Sequence, residues 1–445
     1  MPPNILAQYD RKLHLQPNHP LAITRKLIAN CFPDFFEHHS DLPGAVTVDQ
    51  NFDSLGFAPD HPGRSRTDTY YINQDNVLRT HTSAHEREIF KANTRDGFTL
   101  AGDVYRRDAI DRSHYPIFHQ MEGALTWDRD AYRPFENRDE FLKRLKADLE
   151  KIGSPGIAVE DPNPPFHPKR NPLQEKHHTP EEAEVVGAHL KRSLEHMVVA
   201  IFTAADKALK AAGHSSAEDE EPLKVRWVEA FFPHTSPSWE LEVWWRGEWL
   251  EVLGCGVIDQ PLLIRAGVPS RVGWAFGLGL ERLAMLLFGI PDIRLFWSQD
   301  QRFLSQFDEN KPIQRFQPFS KYPAAPRDVA FWLPKQTGPV VAETPASTSS
   351  SPSPAGGQVT EPPTTTQTPA FHENDLMELV RNAAGDSVED VSLIDDFTHP
   401  KTGKRSLCYR VTYRSLEKTL TNEEANTLHE QIRRELVEKF GVELR

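Results

Sequence analysis

The sequence predicts an α+β protein: a large antiparallel sheet flanked by helices, followed by a smaller unit of split β-α-β type. Three observations carry this. The stretch Gly102 to Gly123, GDVYRRDAIDRSHYPIFHQMEG, has two apolar-aromatic halves, Val104–Tyr105 and Tyr115–Phe118, joined by the polar loop Asp108–Ser113, which is the pattern of two antiparallel strands. Three further runs, KVRWVEA, SWELEVWW and EWLEVLGCG, repeat strand character, with Arg246-Gly247 as the tight turn between the last two. Past Phe307 the order becomes β-α-β-β-α, and Val442–Leu444 supplies a final short strand.

Taken in order, Asn18–Phe36 opens with helical spacing of Leu21, Ile23, Leu27 and Ile28, and Pro33 marks its end. Pro and Gly punctuation makes Asn51–Arg66 irregular. Asp68–Asn73 and Asn76–Thr80 read as strands, and the HTSAHERE run from His81 as a helix start capped by Thr82 or Ser83. Arg138–Ile152 and Glu181–Ala212 read as helices joined by a Pro-rich loop, Ser154–Pro180. On the second of them Val185, Leu190, Leu194, Met197, Ile201 and Leu209 form a core stripe, and 212–222 reads as a solvated acidic turn. RVGWAFGLGLERLAMLLFG passes from strand to helix across Gly277–Gly279, which puts Glu281 and Arg282 where unpaired helix N–H groups favour anions. The domains follow as 1–307, a linker at 308–317, and 318–445. Within the last, 335–370 is almost entirely Ser, Thr, Pro, Gly, Gln and Glu, and reads as a disordered insertion.

The chain of 445 residues, 38% hydrophobic and 26% charged, has room for two or three domains and a sizeable core. No apolar run approaches a membrane span, so a membrane is not an expected partner. Net charge is −13, which argues against nonspecific coating of nucleic acid but leaves room for a local basic patch. Cys31, Cys255 and Cys408 lie too far apart for a metal or disulfide framework, which suits a reducing compartment. The N-terminal MPPNILAQYDRKLHLQ has neither an apolar signal core nor the Arg- and Ser-rich character of a transit peptide.

The chemistry concentrates on the central hairpin. Strand alternation places His114, Phe118, Gln120 and Glu122 on one face, with Arg106 arriving from the neighbouring strand. An aromatic ring can stack a base, an arginine can hold a phosphate, and an amide with a carboxylate can grip an ammonium group. In the second domain, Thr398–Lys418 concentrates Lys401, Lys404, Arg405, Arg410, Arg414 and Lys418 against one acid, Glu417.

Tyr105-Arg106-Arg107-Asp108 followed by His114 to Phe118 resembles motif 2 of class II aminoacyl-tRNA synthetases, and the continuation FHQMEG resembles their phenylalanyl branch. GLGLER resembles motif 3, the helix from His19-Pro20-Leu21 motif 1, and LRTHTSAH, FFPHT and EWLEVLGCG match the same branch. The resemblance runs from about Leu13 to Arg445, interrupted mainly at 335–370. It is strongest to the single-chain mitochondrial form, in which the catalytic core is fused to a ferredoxin-like anticodon-binding domain whose start resembles PRDVAF.

That resemblance implies activation of phenylalanine by ATP and its transfer to tRNA(Phe), by a monomer of the mitochondrial matrix. It makes Arg106 and Arg282 catalytic: Arg106 holds the α-phosphate and Arg282 the far end of the bent triphosphate. Phe118 stacks on adenine, with Asp108 and His114 also at the ATP subsite, and Glu251 is the ligand of a phosphate-bridging Mg²⁺. Gln120 and Glu122 bind the ammonium and His81 and Ser83 hold the substrate, while Phe232, His234, Ala275 and Phe276 surround the ring. The basic run from Lys401 to Lys418 binds tRNA. Two residues depart from the pattern: His234 stands where relatives carry a second phenylalanine, and Glu86 where they carry glutamine. A noncatalytic RNA-binding paralogue, the competing reading, should have lost Arg106, Glu122 or Arg282; all three are present.

Overall fold

A computed structural model describes residues 1–132, 138–211, 213, 223–245, 247–319, 322–334 and 371–445. The expected insertion at 335–370, most of the acidic turn and Arg246 of the predicted hairpin lie outside the described residues. The chain divides into two compact units, 1–322 with 415–418, and 323–414 with 419–445.

The first unit contains β1 (Glu37–His39), β2 (Ala45–Thr47), β3 (Asn76–Leu78), β4 (Gly97–Tyr105), β5 (Ile117–Asp128), β6 (Val159–Glu160), β7 (Lys224–Phe232), β8 (Thr235–Trp245), β9 (Glu248–Ile258) and β10 (Arg271–Gly279). Eight of them form one sheet in the order β1-β4-β5-β10-β9-β8-β7-β6, antiparallel except for the parallel edge pairs β1–β4 and β6–β7. Its hairpins are those the apolar alternation predicts, and Gly247 takes the left-handed φ of +89° in the β8–β9 turn. One sheet face is covered by the helices Pro20–Ala29, Arg138–Ile152, Pro180–Ala211 and Leu280–Phe288. Of the stripe read from 185 to 209, Val185, Leu190, Leu194, Met197 and Ile201 join Trp239, Trp274 and Phe276 in one apolar core, and Leu209 is buried as well.

Three local readings are corrected. Asp68–Asn73 is not a strand: Tyr71 makes a single bridge to Val77, and the backbone turns back on itself at Ser65–Thr69. Thr82 and Ser83 cap nothing, because the chain enters the helix Glu86–Ala92 through a 3-10 turn, Thr82–His85, and the Ser83 hydroxyl is spent on Glu122. Residues 308–319 have no helix or strand yet are tied to the first unit. The Phe316 N–H donates to the Phe288 carbonyl at 2.6 Å, and the Phe316 ring packs against Phe303 and Phe319. The passage between units falls at Tyr322–Pro323.

The second unit holds β11 (Ala325–Trp332), β12 (Val388–Thr398), β13 (Arg405–Tyr413) and β14 (Glu443–Leu444) in the antiparallel order β12-β13-β11-β14. Helices Glu373–Ala384 and Asn422–Phe440 pack on the face formed by Val329, Phe331, Tyr409, Val411 and Tyr413. Thr421 and Glu424 close the second helix with a reciprocal capping box. This is the split β-α-β arrangement expected from the element order. Among the described residues no helix is long and apolar enough to cross a membrane.

Candidate active site

Opposite its helical cover, the large sheet floors a cavity of about 600 Å³. The floor follows from strand periodicity. On β5, Phe118, Gln120 and Glu122 face the cavity while Ile117, His119 and Met121 point into the core. Where β10 and β9 cross the floor, several of the lining residues are small: Ala275, Gly277, Gly279 and Gly254. At Gly254 a Cβ would stand 2.5 Å from the Phe232 ring, so only glycine lets that ring lie on the sheet.

All fourteen residues singled out for the two small-molecule subsites line this one cavity. Two do so otherwise than expected. His114 is not on the strand face: β5 begins at Ile117, and His114 sits in the preceding loop, where Asp111 accepts from its N–H at 2.8 Å and meets its ring Nδ1 at 2.6 Å. Phe276 is the neighbour of Ala275 on one strand, so the two must point to opposite faces. Its ring lies in the helix-side core, stacked on Phe32 with centroids 5.4 Å apart, and only its backbone reaches the cavity.

One end of the cavity is acidic and buried. Ser83 donates to Oε1 of Glu122 from its hydroxyl (2.7 Å) and from its backbone N–H (3.1 Å), while Gln120 Oε1 accepts the Thr82 N–H at 3.3 Å. Glu86, whose orientation the sequence left open, faces inward and is buried beside Glu122. Burial pushes both carboxyl groups above the usual range, and the neighbouring Glu122 adds to the effect on Glu86. A ring-lined wall stands next to them. Phe57 stacks on His81 at 5.5 Å and meets His234 at 5.1 Å. Burial holds both imidazoles neutral, with His234 pushed down to about 4. His234 is therefore an uncharged ring in this wall. Phe57 was missed in the sequence because it lies in the irregular stretch, where no strand or helix period marks a wall residue.

The other end is cationic. The Arg106 guanidinium lies 5.1 Å from the Phe118 ring centroid, and its Nε donates to the Thr80 carbonyl at 2.7 Å. Arg282, half exposed in the first turn of the helix Leu280–Phe288, donates to the Glu251 carbonyl at 3.1 Å and stands 3.6 Å from the Glu251 carboxylate. Asp108 lines the same end. Two buried ties fix these parts. Glu281 accepts from the backbone N–H of His119 at 2.8 Å and meets its ring at 2.7 Å, which locks the helix carrying Arg282 to the strand carrying Phe118. Arg79 pairs with Asp103 at 2.7 Å and donates to the Asp103 carbonyl at 2.6 Å, through a gap that exists because residue 102 is glycine.

Among the described residues no group of three or more His, Cys, Asp or Glu could hold a metal alone. The half-exposed carboxylate of Glu251, at a cationic cavity end, suits a hard ion that takes most of its ligands from phosphate and water.

In the second unit the basic run is largely paired. Arg405 grips Asp396 and Arg410 grips Asp328, each through two bonds of 2.7–2.9 Å, while Lys404 reaches Glu443 at 3.0 Å and Arg414 reaches Glu389 at 3.2 Å. The single acid counted within the segment therefore misjudged its charge, since neighbouring strands bring four more. Lys401 sits in the turn between β12 and β13, and Lys418 belongs to the 415–418 segment that counts with the first unit.

Residues 4–150 and 194–307 match the tRNA synthetases class II core domain (F), and residues 367–445 the ferredoxin-fold anticodon binding domain. The mitochondrial phenylalanine--tRNA ligase of Saccharomyces cerevisiae is 45% identical over 99% of this chain and 91% of its own length. That of Mus musculus is 39% identical over 99% of this chain and 84% of its own. The phenylalanine--tRNA ligase alpha subunit of Prochlorococcus marinus (strain NATL2A) is 30% identical over 65% of each chain. With a family core matching more than half of its residues and such relatives along almost its whole length, the chain belongs to the phenylalanine--tRNA ligases of the class II tRNA synthetases.

Proposed function

We propose that this protein activates phenylalanine with ATP and passes it to tRNA(Phe) in mitochondrial translation, acting in the matrix as a monomer. The observation that carries the reading is the division of one cavity into a buried acidic end walled by rings and a cationic end that opens beside an exposed arginine.

The first reaction is in-line attack of a carboxylate on the α-phosphate. It needs no protein nucleophile, only alignment of two anions and neutralisation of the charge that grows on phosphorus. Glu122 and Gln120 take the ammonium group, His81 and Ser83 hold the substrate, and Phe232, His234 and Ala275 shape the space for its ring. Phe118 stacks on adenine, with Asp108 and His114 beside it. Arg106, seated on Phe118, holds the α-phosphate, and Arg282 meets the far end of the triphosphate. Glu251 would hold Mg²⁺, which supplies charge neutralisation across the phosphates when bound. The basic residues that take tRNA are Lys401, Lys404, Arg405, Arg410 and Arg414 of the second unit, together with Lys418.

Exchange of pyrophosphate into ATP, run with each amino acid in turn, tests the substrate. Phenylalanine is expected to support it, and tyrosine to be rejected because the apolar ring space leaves its hydroxyl unpaired. Exchange driven by another amino acid and not by phenylalanine contradicts the reading.

A further inference from the structure

Two carboxylates stand at the amino-acid end of the cavity, where one ammonium group is to bind. Glu122 comes from β5 and Glu86 from the first turn of the helix Glu86–Ala92, and their exposures are only 6% and 5%. Ser83 satisfies Oε1 of Glu122; the Thr82 hydroxyl also faces this carboxyl, but Oε2 is buried and makes no hydrogen bond of normal length among the described residues.

One cation, Arg106, acts on Glu122 from nearby, and nothing further packed around the pair neutralises it. Arg79, on the Glu122 side, is engaged by Asp103, whereas Arg106 keeps its full charge, its Nε donating to the neutral Thr80 carbonyl, and so balances one carboxylate. His81 and His85, in the turn before Glu86, are kept neutral by burial. On the Glu86 helix itself Arg87 pairs with Asp49 and Glu88. The helix Gln260–Arg265 packs against that helix; there Asp259 is raised by burial, and Arg265 donates to the Ser54 carbonyl. With Arg106 balancing one charge, two neighbouring carboxylates in so dry a site cannot both ionise without a second cation. An ammonium group carries three donors, enough for Oε2 of Glu122, a Glu86 oxygen and one further acceptor.

We propose that Glu86 is a second carboxylate for the substrate's α-ammonium group, and that it shares one proton with Glu122 until the ammonium displaces that proton into solvent. The proposal rests on the reading that this cavity takes phenylalanine. It makes amino-acid binding a cation-for-proton exchange: the cationic substrate enters, one proton leaves, and affinity rises with pH wherever the empty pair still holds its proton.

Titration calorimetry of the full chain with phenylalanine, at pH 7 in buffers of different protonation enthalpy, reads the proton directly. The wild type is expected to release up to one proton per phenylalanine. Glu86→Gln, which keeps the shape and removes the charge, is expected to release none and to flatten the fall of the phenylalanine KM between pH 6 and 8. Phenylalaninol, which keeps the ammonium without the carboxylate, should release a proton from the wild type, and 3-phenylpropanoate should not; this arm stands even if the variant fails to fold. Phenylalanine binding without proton release, or equal release by Glu86→Gln, overturns the proposal and leaves the substrate assignment intact. Failure of phenylalanine to bind at all overturns both.

Discussion

Gly254 shows how a single residue shapes the amino-acid end. A Cβ there would press from 2.5 Å on the Phe232 ring, which lines the cavity, so the ring must shift within that wall. Forcing atoms into a packed wall costs about 1–3 kcal/mol. Gly254→Ala should therefore raise the phenylalanine KM by roughly tenfold while the ATP KM moves little, since Arg106, Phe118 and Arg282 lie at the other end; an unchanged phenylalanine KM in the exchange assay removes Phe232 from the ring wall. Residue identity was legible here because chemistry-bearing types cluster in short runs: Arg106, Phe118, Gln120 and Glu122 within seventeen positions, His81 and Ser83 within three. Side-chain direction was less so. Ala275 and Phe276 are adjacent in sequence, and only strand periodicity, applied consistently, separates the residue that faces the cavity from the one whose ring fills the core. His114 fails for the complementary reason, because a loop residue has no period to extrapolate.

Elements were read well wherever apolar spacing is strong, as in the helices 138–152 and 180–211 and the strands β7 to β10. What spacing cannot show is which distant element supplies a partner. Glu281 and His119 are 162 positions apart, and their bond exists because sheet register brings the start of one helix against one strand. The β12–β13 hairpin makes the same point in charge. Four of its cations face carboxylates from β11, β12 and β14, so RNA phosphates must compete with them. If this hairpin binds tRNA, freeing an arginine should help. Asp396→Asn, which releases Arg405, is expected to tighten tRNA binding and steepen its salt dependence by about one unit of slope. Filter binding across a salt series checks this, and weaker or unaltered binding argues that Arg405 lies off the RNA path.

At the scale of the whole molecule, the change in composition after Phe307 signalled a second unit, and its element order was sufficient to name the split β-α-β arrangement. The point of passage was not legible. Residues 308–317 look like a linker because they lack periodicity, but Phe316 buries its ring among Phe303 and Phe319 and thereby belongs to the first unit. Net charge of −13 likewise says little about a protein whose two ligand surfaces depend on a few local cations. Of those cations Arg282 is the most informative. It is half exposed, held among the described residues by Glu251 alone, and set at a helix start that Glu281 locks in place, so its loss should spare the fold. Phenylalanine-dependent pyrophosphate exchange, measured for the wild type beside Arg282→Ala, puts the account to its most direct test. Removal of one preorganised donor to a developing phosphate charge is expected to slow exchange by roughly a hundredfold to a thousandfold, with phenylalanine binding retained. Exchange at the wild-type rate in Arg282→Ala would contradict the assignment of this cavity as the site of adenylate formation.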